Sequence, residues 1–129
     1  MRVPILKLGR VLLTSLPANL TDQQVMDLQI DALALLRDDR ADGLVIDITA
    51  VDVVDSYMAR VLSETAKMVG IMGGVAVLAG MRPPVALTLV EMGPDLIRMD
   101  TAFDLEGGVA KVQRAMATRG GRLDEPPEV

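Results

Sequence analysis

The chain has 129 residues, half of them apolar, with one Tyr, one Phe, no His and no Cys. That length suits one domain with a sizeable core, which must be built from Val, Leu, Ile, Ala and Met. The missing His and Cys exclude zinc sites of the usual kinds, Cys nucleophiles and Ser-His-Asp triads, and a net charge of −5 with scattered Lys and Arg argues against a nucleic-acid domain.

Met1-Arg2-Val3-Pro4-Ile5-Leu6-Lys7 lacks a long apolar stretch ending in a cleavage site, and no later apolar run has the length of a membrane span. A soluble, cytoplasmic protein is expected, and the lack of Cys fits a reducing compartment. Val3 to Leu8 and Val11 to Leu16 are short apolar runs around Gly9-Arg10, which predicts a hairpin, with Pro4 at a strand edge or start. Thr21-Asp22-Gln23-Gln24 has the spacing of a capping box, and Val25, Leu28, Ala32, Leu35 and Leu36 follow at helical intervals. Arg37 to Arg40 reads as a solvated helix end, and Ala41-Asp42-Gly43 as a turn. Leu44 to Ile48 is a continuous apolar run broken only by Asp47, the pattern of a strand buried on both faces. Met58, Val61, Leu62, Thr65, Val69 and Met72 predict a helix over residues 56–72, ended by Gly73-Gly74. Val75 to Ala79 is a second buried strand, and Gly80 to Pro84 is a loop in which a proline suits the first turn of a helix over Val85 to Met92. Gly93-Pro94 is the expected stop. Residues 97–103 hold a last strand, and Asp104 can cap a final helix carrying Leu105, Val109, Val112 and Met116, weakened by Gly107-Gly108. Residues 119–129 read as a disordered tail after a domain spanning 1–118. An initial hairpin followed by alternating helices and strands implies an α/β fold, a mixed β-sheet with about four helices packed on it. The nine methionines fit gap filling in that core better than a partner surface.

Asp47, Asp52, Asp55 and Ser56 fall within ten residues at the carboxyl end of the expected central strand, where open α/β sheets place their sites. Aspartates in such a cluster could hold Mg²⁺, and a Mg²⁺-dependent nucleotide-binding module is one reading. It lacks a Walker loop or a GxGxxG motif to cradle phosphates. The plainer reading has Asp55 as a helix cap and the other aspartates solvated, with no metal and no cofactor. Ser56 stands at a helix start, where free N–H groups and the helix dipole tolerate a phosphate. On position alone, a capping hydroxyl and a regulatory hydroxyl are equally open. Arg60, one turn on, is placed to pair with a phosphate on Ser56, whereas Asp52 and Asp55 would repel it. Tyr57 falls off the apolar stripe and is expected to be exposed, as part of a partner surface with Asp52, Asp55 and Arg60.

Val45-Ile46-Asp47-Ile48-Thr49 followed by Val54-Asp55-Ser56 resembles STAS domains, the family of anti-sigma-factor antagonists and related modules. Pro4 to Leu8, Val54 to Leu62 and Gly80 to Gly93 are similar to one branch, the RsbS-type scaffold proteins of bacterial stressosomes, over about Pro4 to Met116. Tyr57-Met58-Ala59-Arg60 replaces the Gly-rich sequence that usually follows the Asp-Ser pair in ordinary soluble antagonists, which favours the stressosome branch. That resemblance implies a non-enzymatic STAS protein that forms a scaffold with receptor-type paralogues (RsbR type). It implies a held serine/threonine kinase (RsbT type), released when Ser56 is phosphorylated, and a resetting phosphatase (RsbX type). Thr88 occupies the region of a second phosphorylatable Thr in receptor-type paralogues, and reads here as an ordinary helix residue. The alternative within the same fold is an ordinary soluble anti-sigma-factor antagonist controlled by serine phosphorylation.

Overall fold

The structure, a computed structural model, describes residues 2–92 and 99–124, with backbone alone for residues 119–124. The elements in chain order are β1 (Leu6–Leu8), β2 (Val11–Ser15), α1 (Asp22–Asp38), β3 (Gly43–Asp47), α2 (Ser56–Ile71), β4 (Val75–Ala79), α3 (Pro83–Met92), β5 (Asp100–Ala102) and α4 (Leu105–Asp124). One five-stranded sheet runs in sequence order. β1 is antiparallel to β2, and β2 to β5 are parallel. The mixed sheet with an N-terminal hairpin and four helices is the expected architecture. Gly9 opens the hairpin turn at φ +60°, a conformation costly for residues with a Cβ.

Alternation along the strands divides the core in two. Leu12, Leu44, Ile46, Ala76 and Leu78 face one way, into a cluster completed by Val25 and Leu28 of α1, Val61 and Leu62 of α2, and Val85 and Leu89 of α3. Val11, Val45, Val75, Val77 and Ala79 face the other way and meet Val112 of α4. β3 and β4 are therefore buried on both faces, which is why their sequences are apolar without alternation. Met58 is buried, and Met26, Met81, Met92, Met99 and Met116 pack half-buried against the two clusters, whereas Met68 and Met72 are exposed.

The capping box at α1 is complete: Gln24 N–H donates to Thr21 Oγ1 at 3.1 Å, and Thr21 N–H donates to Gln24 Oε1 at 2.9 Å. α3 starts two residues earlier than expected, at Pro83. Gly93-Pro94 and the start of the 97–103 segment lie outside the described residues.

α4 begins at Leu105 as expected, with Gly107 and Gly108 in its first turn. Gly107 N–H donates to the capping Asp104 Oδ1 at 2.7 Å, and a Cβ on Gly108 would meet Val45 Cγ1 at 2.7 Å. The missing side chain lets the helix lie against β3. The helix continues through residues 119–124, where a tail was expected, and residues 125–129 lie outside the described residues. Ala115, Met116, Ala117, Arg119, Arg122 and Leu123 are good helix formers, enough to carry it past Gly120-Gly121.

Candidate functional site

Residues 48–55 connect β3 to α2 at the carboxyl end of the sheet. Val51 and Val54 are buried and pin this connector to the core, while Asp52, Val53, Asp55 and Ser56 stay outside. Asp55 is the cap of α2: its Oδ1 accepts Met58 N–H at 2.8 Å, and its carbonyl accepts Ala59 N–H at 3.0 Å. Buried Val54 before the cap and buried Ala59 inside the first turn belong to one cluster, the positions of a hydrophobic staple. Ser56 is then the first helical residue, not the cap. It is exposed, and its hydroxyl makes no hydrogen bond among the described residues. The capping role that position left open for Ser56 falls to Asp55.

The three aspartates expected near Ser56 do not converge on a common point. Asp47 Oδ1 accepts from Thr49 N–H at 3.0 Å and Thr49 Oγ1 at 2.6 Å, and its Oδ2 accepts from Ser15 Oγ at 3.2 Å. It closes the end of β3. Asp52 forms an ion pair with Arg82, and Asp55 caps α2. No group of three or more acidic residues suited to a metal occurs among the described residues.

Arg82 is the site residue that sequence reasoning missed. Besides Asp52, its Nη2 donates to the Val51 carbonyl at 3.2 Å, tying the β3–α2 connector to the loop before α3. Its own carbonyl accepts Val85 and Ala86 N–H, both at 3.0 Å, so it occupies the cap position of α3. The Pro-Pro pair that follows it was the available signal, since proline favours the first helical turn. Gly80 belongs to the same junction. It holds φ +75°, and a Cβ there would run into Thr49 Oγ1 and come to 3.0 Å from Asp47 Oδ1.

Tyr57 is half-buried against the core rather than exposed. It shares a flank of α2 with Val61 and Thr65 at four-residue spacing, and that flank meets α1. There Gln29 Nε2 donates to Thr65 Oγ1 at 3.0 Å and to the Val61 carbonyl at 3.3 Å. α2 is covered by both α1 and the sheet, so its buried arc is wider than one apolar stripe. Arg60 is exposed one turn beyond Ser56 and makes no ion pair among the described residues. Thr88 is half-buried on α3, and its Oγ1 donates to the Pro84 carbonyl at 3.0 Å, an ordinary back-bond within a helix.

The STAS domain family model matches residues 3–103, and the chain belongs to that family. Among solved structures it is similar to an RsbS and to a chain of a stressosome. A serine-to-glutamate variant of RsbS from Moorella thermoacetica is 37% identical with a TM-score of 0.80, covering 89% of this chain and 97% of that one. A chain from the solved molecular architecture of the stressosome, a signal integration and transduction hub, is 39% identical with a TM-score of 0.76, covering 88% of this chain and 98% of that one. In sequence, the RsbT co-antagonist protein RsbRA of Bacillus subtilis (strain 168) is 37% identical over 70 residues, 54% of this chain. The chain spans only 26% of that relative's length. Unphosphorylated SpoIIAA, at 12% identity and a TM-score of 0.63, shares the fold. No helix among the described residues is long and apolar enough to cross a membrane.

Proposed function

We propose that the chain is a non-catalytic regulatory subunit of a stressosome, built with receptor-type STAS paralogues of the RsbR type. In this reading it holds a serine/threonine switch kinase of the RsbT type and releases it once Ser56 is phosphorylated. Holding the kinase makes it a negative regulator of the stress response, release lifts that restraint, and a phosphatase of the RsbX type resets it. The observation that carries the reading is Ser56 itself, exposed at the first position of α2 with its hydroxyl spared by the Asp55 cap. A kinase can reach that hydroxyl without undoing the helix start. Its oxygen attacks the γ-phosphorus of ATP held by the kinase, ADP leaves, and the hydroxyl proton passes to the kinase's base. The product adds about −1.5 to −2 charges where Asp52 and Asp55 already stand. Repulsion at a docking surface is the expected consequence, with the fold retained.

Incubation with the RsbT-type kinase and ATP, followed by peptide mass spectrometry, tests the assignment. Label should appear on Ser56 and vanish in Ser56→Ala, and label that survives this substitution overturns it. Ser56→Ala should still capture the kinase, and Ser56→Asp should capture it more weakly.

A further inference from the structure

α2 and α3 begin at the carboxyl ends of the neighbouring strands β3 and β4, and both contribute to the core on the same face of the sheet. Ser56 is the first residue of α2, and Arg82 holds the cap position of α3. A guanidinium at the start of a helix is at the wrong end of the dipole, where anions are favoured and cations disfavoured. Asp52 offsets this mismatch in the unmodified chain. The pair lies in solvent, with side chains 45% and 69% exposed, so a competing anion has access to it. Asp52 precedes Ser56 by four residues, which limits their Cα separation to roughly 14 Å even at full extension.

We propose that Arg82 is the phosphate-recognising residue of this surface: a phosphoryl group on Ser56 takes the guanidinium of Arg82 away from Asp52. The inference rests on the reading of Ser56 as a phosphoacceptor and adds the contact that modification rearranges. A phosphate offers three acceptor oxygens and up to twice the charge of a carboxylate, and the planar guanidinium fork matches either group. Arg60 is the rival cation on α2, and Asp52 and Asp55 are the anions that oppose the phosphate. Arg82 differs from Arg60 in that its capture has a second effect. It frees the Asp52 carboxylate and loosens the tie between the β3–α2 connector and the loop before α3. Charge at one helix start is thereby passed to the next.

Phosphoserine encoded genetically at position 56 tests this without any kinase, so failed kinase labelling and a failed Arg82 contact are separate results. The ³¹P signal of the phosphoserine should titrate below its ordinary value of about 6. Arg82→Gln should move that midpoint up by about half a unit or more, as loss of a neighbouring guanidinium does for an acid. Asp52→Asn, which leaves Arg82 in place, should move it down, because the phosphate then has neither a competitor nor that repelling neighbour. In the otherwise unsubstituted chain, the Arg82 Nε–Hε NMR signal should shift on modification. An unmoved Arg82 signal overturns the proposal, as does a midpoint unchanged by Arg82→Gln or by Asp52→Asn. A lowered midpoint that depends on Arg60 alone overturns it as well.

Discussion

Ser56 and Asp55 are adjacent polar residues at one helix start, yet the backbone gives them opposite jobs. Asp55 accepts the Met58 N–H and carries local stability, while Ser56 points a free hydroxyl outward. Asp55→Ala should therefore lower unfolding free energy by about 1 kcal/mol. Ser56→Ala should stay within about 0.5 kcal/mol of the parent. Urea unfolding midpoints at constant slope would separate the two. A second pair sets an acid dependence. Arg2 grips Asp31 of α1 through two hydrogen bonds of 2.8 Å. Hydrogen bonding from Arg2 is the largest influence on Asp31, burial opposes it, and the Arg2 charge adds to it, so the carboxyl titrates below the usual range. Because the folded value is lowered, the stabilisation is complete above the unfolded value of about 3.9 and is lost as pH falls through the lower folded value. The stability difference between parent and Asp31→Asn should be small and constant from about pH 5 to 7, and should shrink below about pH 4. A difference that grows in acid would contradict this.

The helix ends show how much an element depends on a single backbone conformation. α1 and α2 finish alike, with the residue after the cap in a left-handed conformation and the next N–H returning to a carbonyl of the last turn. In α2 that residue is Gly73, at φ +90°, and Gly74 N–H donates to the Val69 carbonyl at 2.9 Å. In α1 it is Arg40, at φ +51°, and Ala41 N–H donates to the Leu36 carbonyl at 3.2 Å. A left-handed residue with a Cβ carries a steric cost that glycine avoids. Arg40→Gly should therefore raise stability by about 0.5–1 kcal/mol after its greater unfolded-state entropy is allowed for. A thermal melt would show the gain, and a loss would mean that the Arg40 side chain makes a contribution larger than the backbone strain. The glycine pair announced both the end of α2 and its left-handed turn, whereas the charged run from Arg37 to Arg40 marked the end of α1 without showing that Arg40 would be left-handed.

At the level of the whole fold, one edge of the sheet gathers the carboxyl ends of β2 to β5, the starts of α2 and α3, and the Asp52–Arg82 pair between them. Helices α1 to α3 close one face of the sheet and α4 the other. The Ser56 edge stays accessible on a closed core, which the proposed phosphorylation of Ser56 requires. Mixed with a receptor-type paralogue, the chain should enter a particle of megadalton scale by native mass measurement. A simple heterodimer with an anti-sigma kinase would assign it instead to the ordinary soluble antagonists.

Hydrophobic periodicity sufficed for the order of elements, because strands buried on both faces and amphipathic helices demand different apolar spacing. The Thr21 and Asp104 caps were legible for a related reason: their bonds reach only three residues along the chain. The hydroxyl at Ser56 was legible too, but its freedom from capping was not, because Asp55 and Ser56 are equally good caps in composition and only the helix register chooses between them. Contacts across the chain lay beyond local spacing altogether. Arg82 meets Asp52 thirty residues away, Gln29 meets Thr65 across thirty-six, and Gly108 has no side chain because Val45 occupies the space. Such partners become neighbours only when parallel strands are joined through crossover helices, so the sheet, and not the local sequence, decides which charges and surfaces surround Ser56.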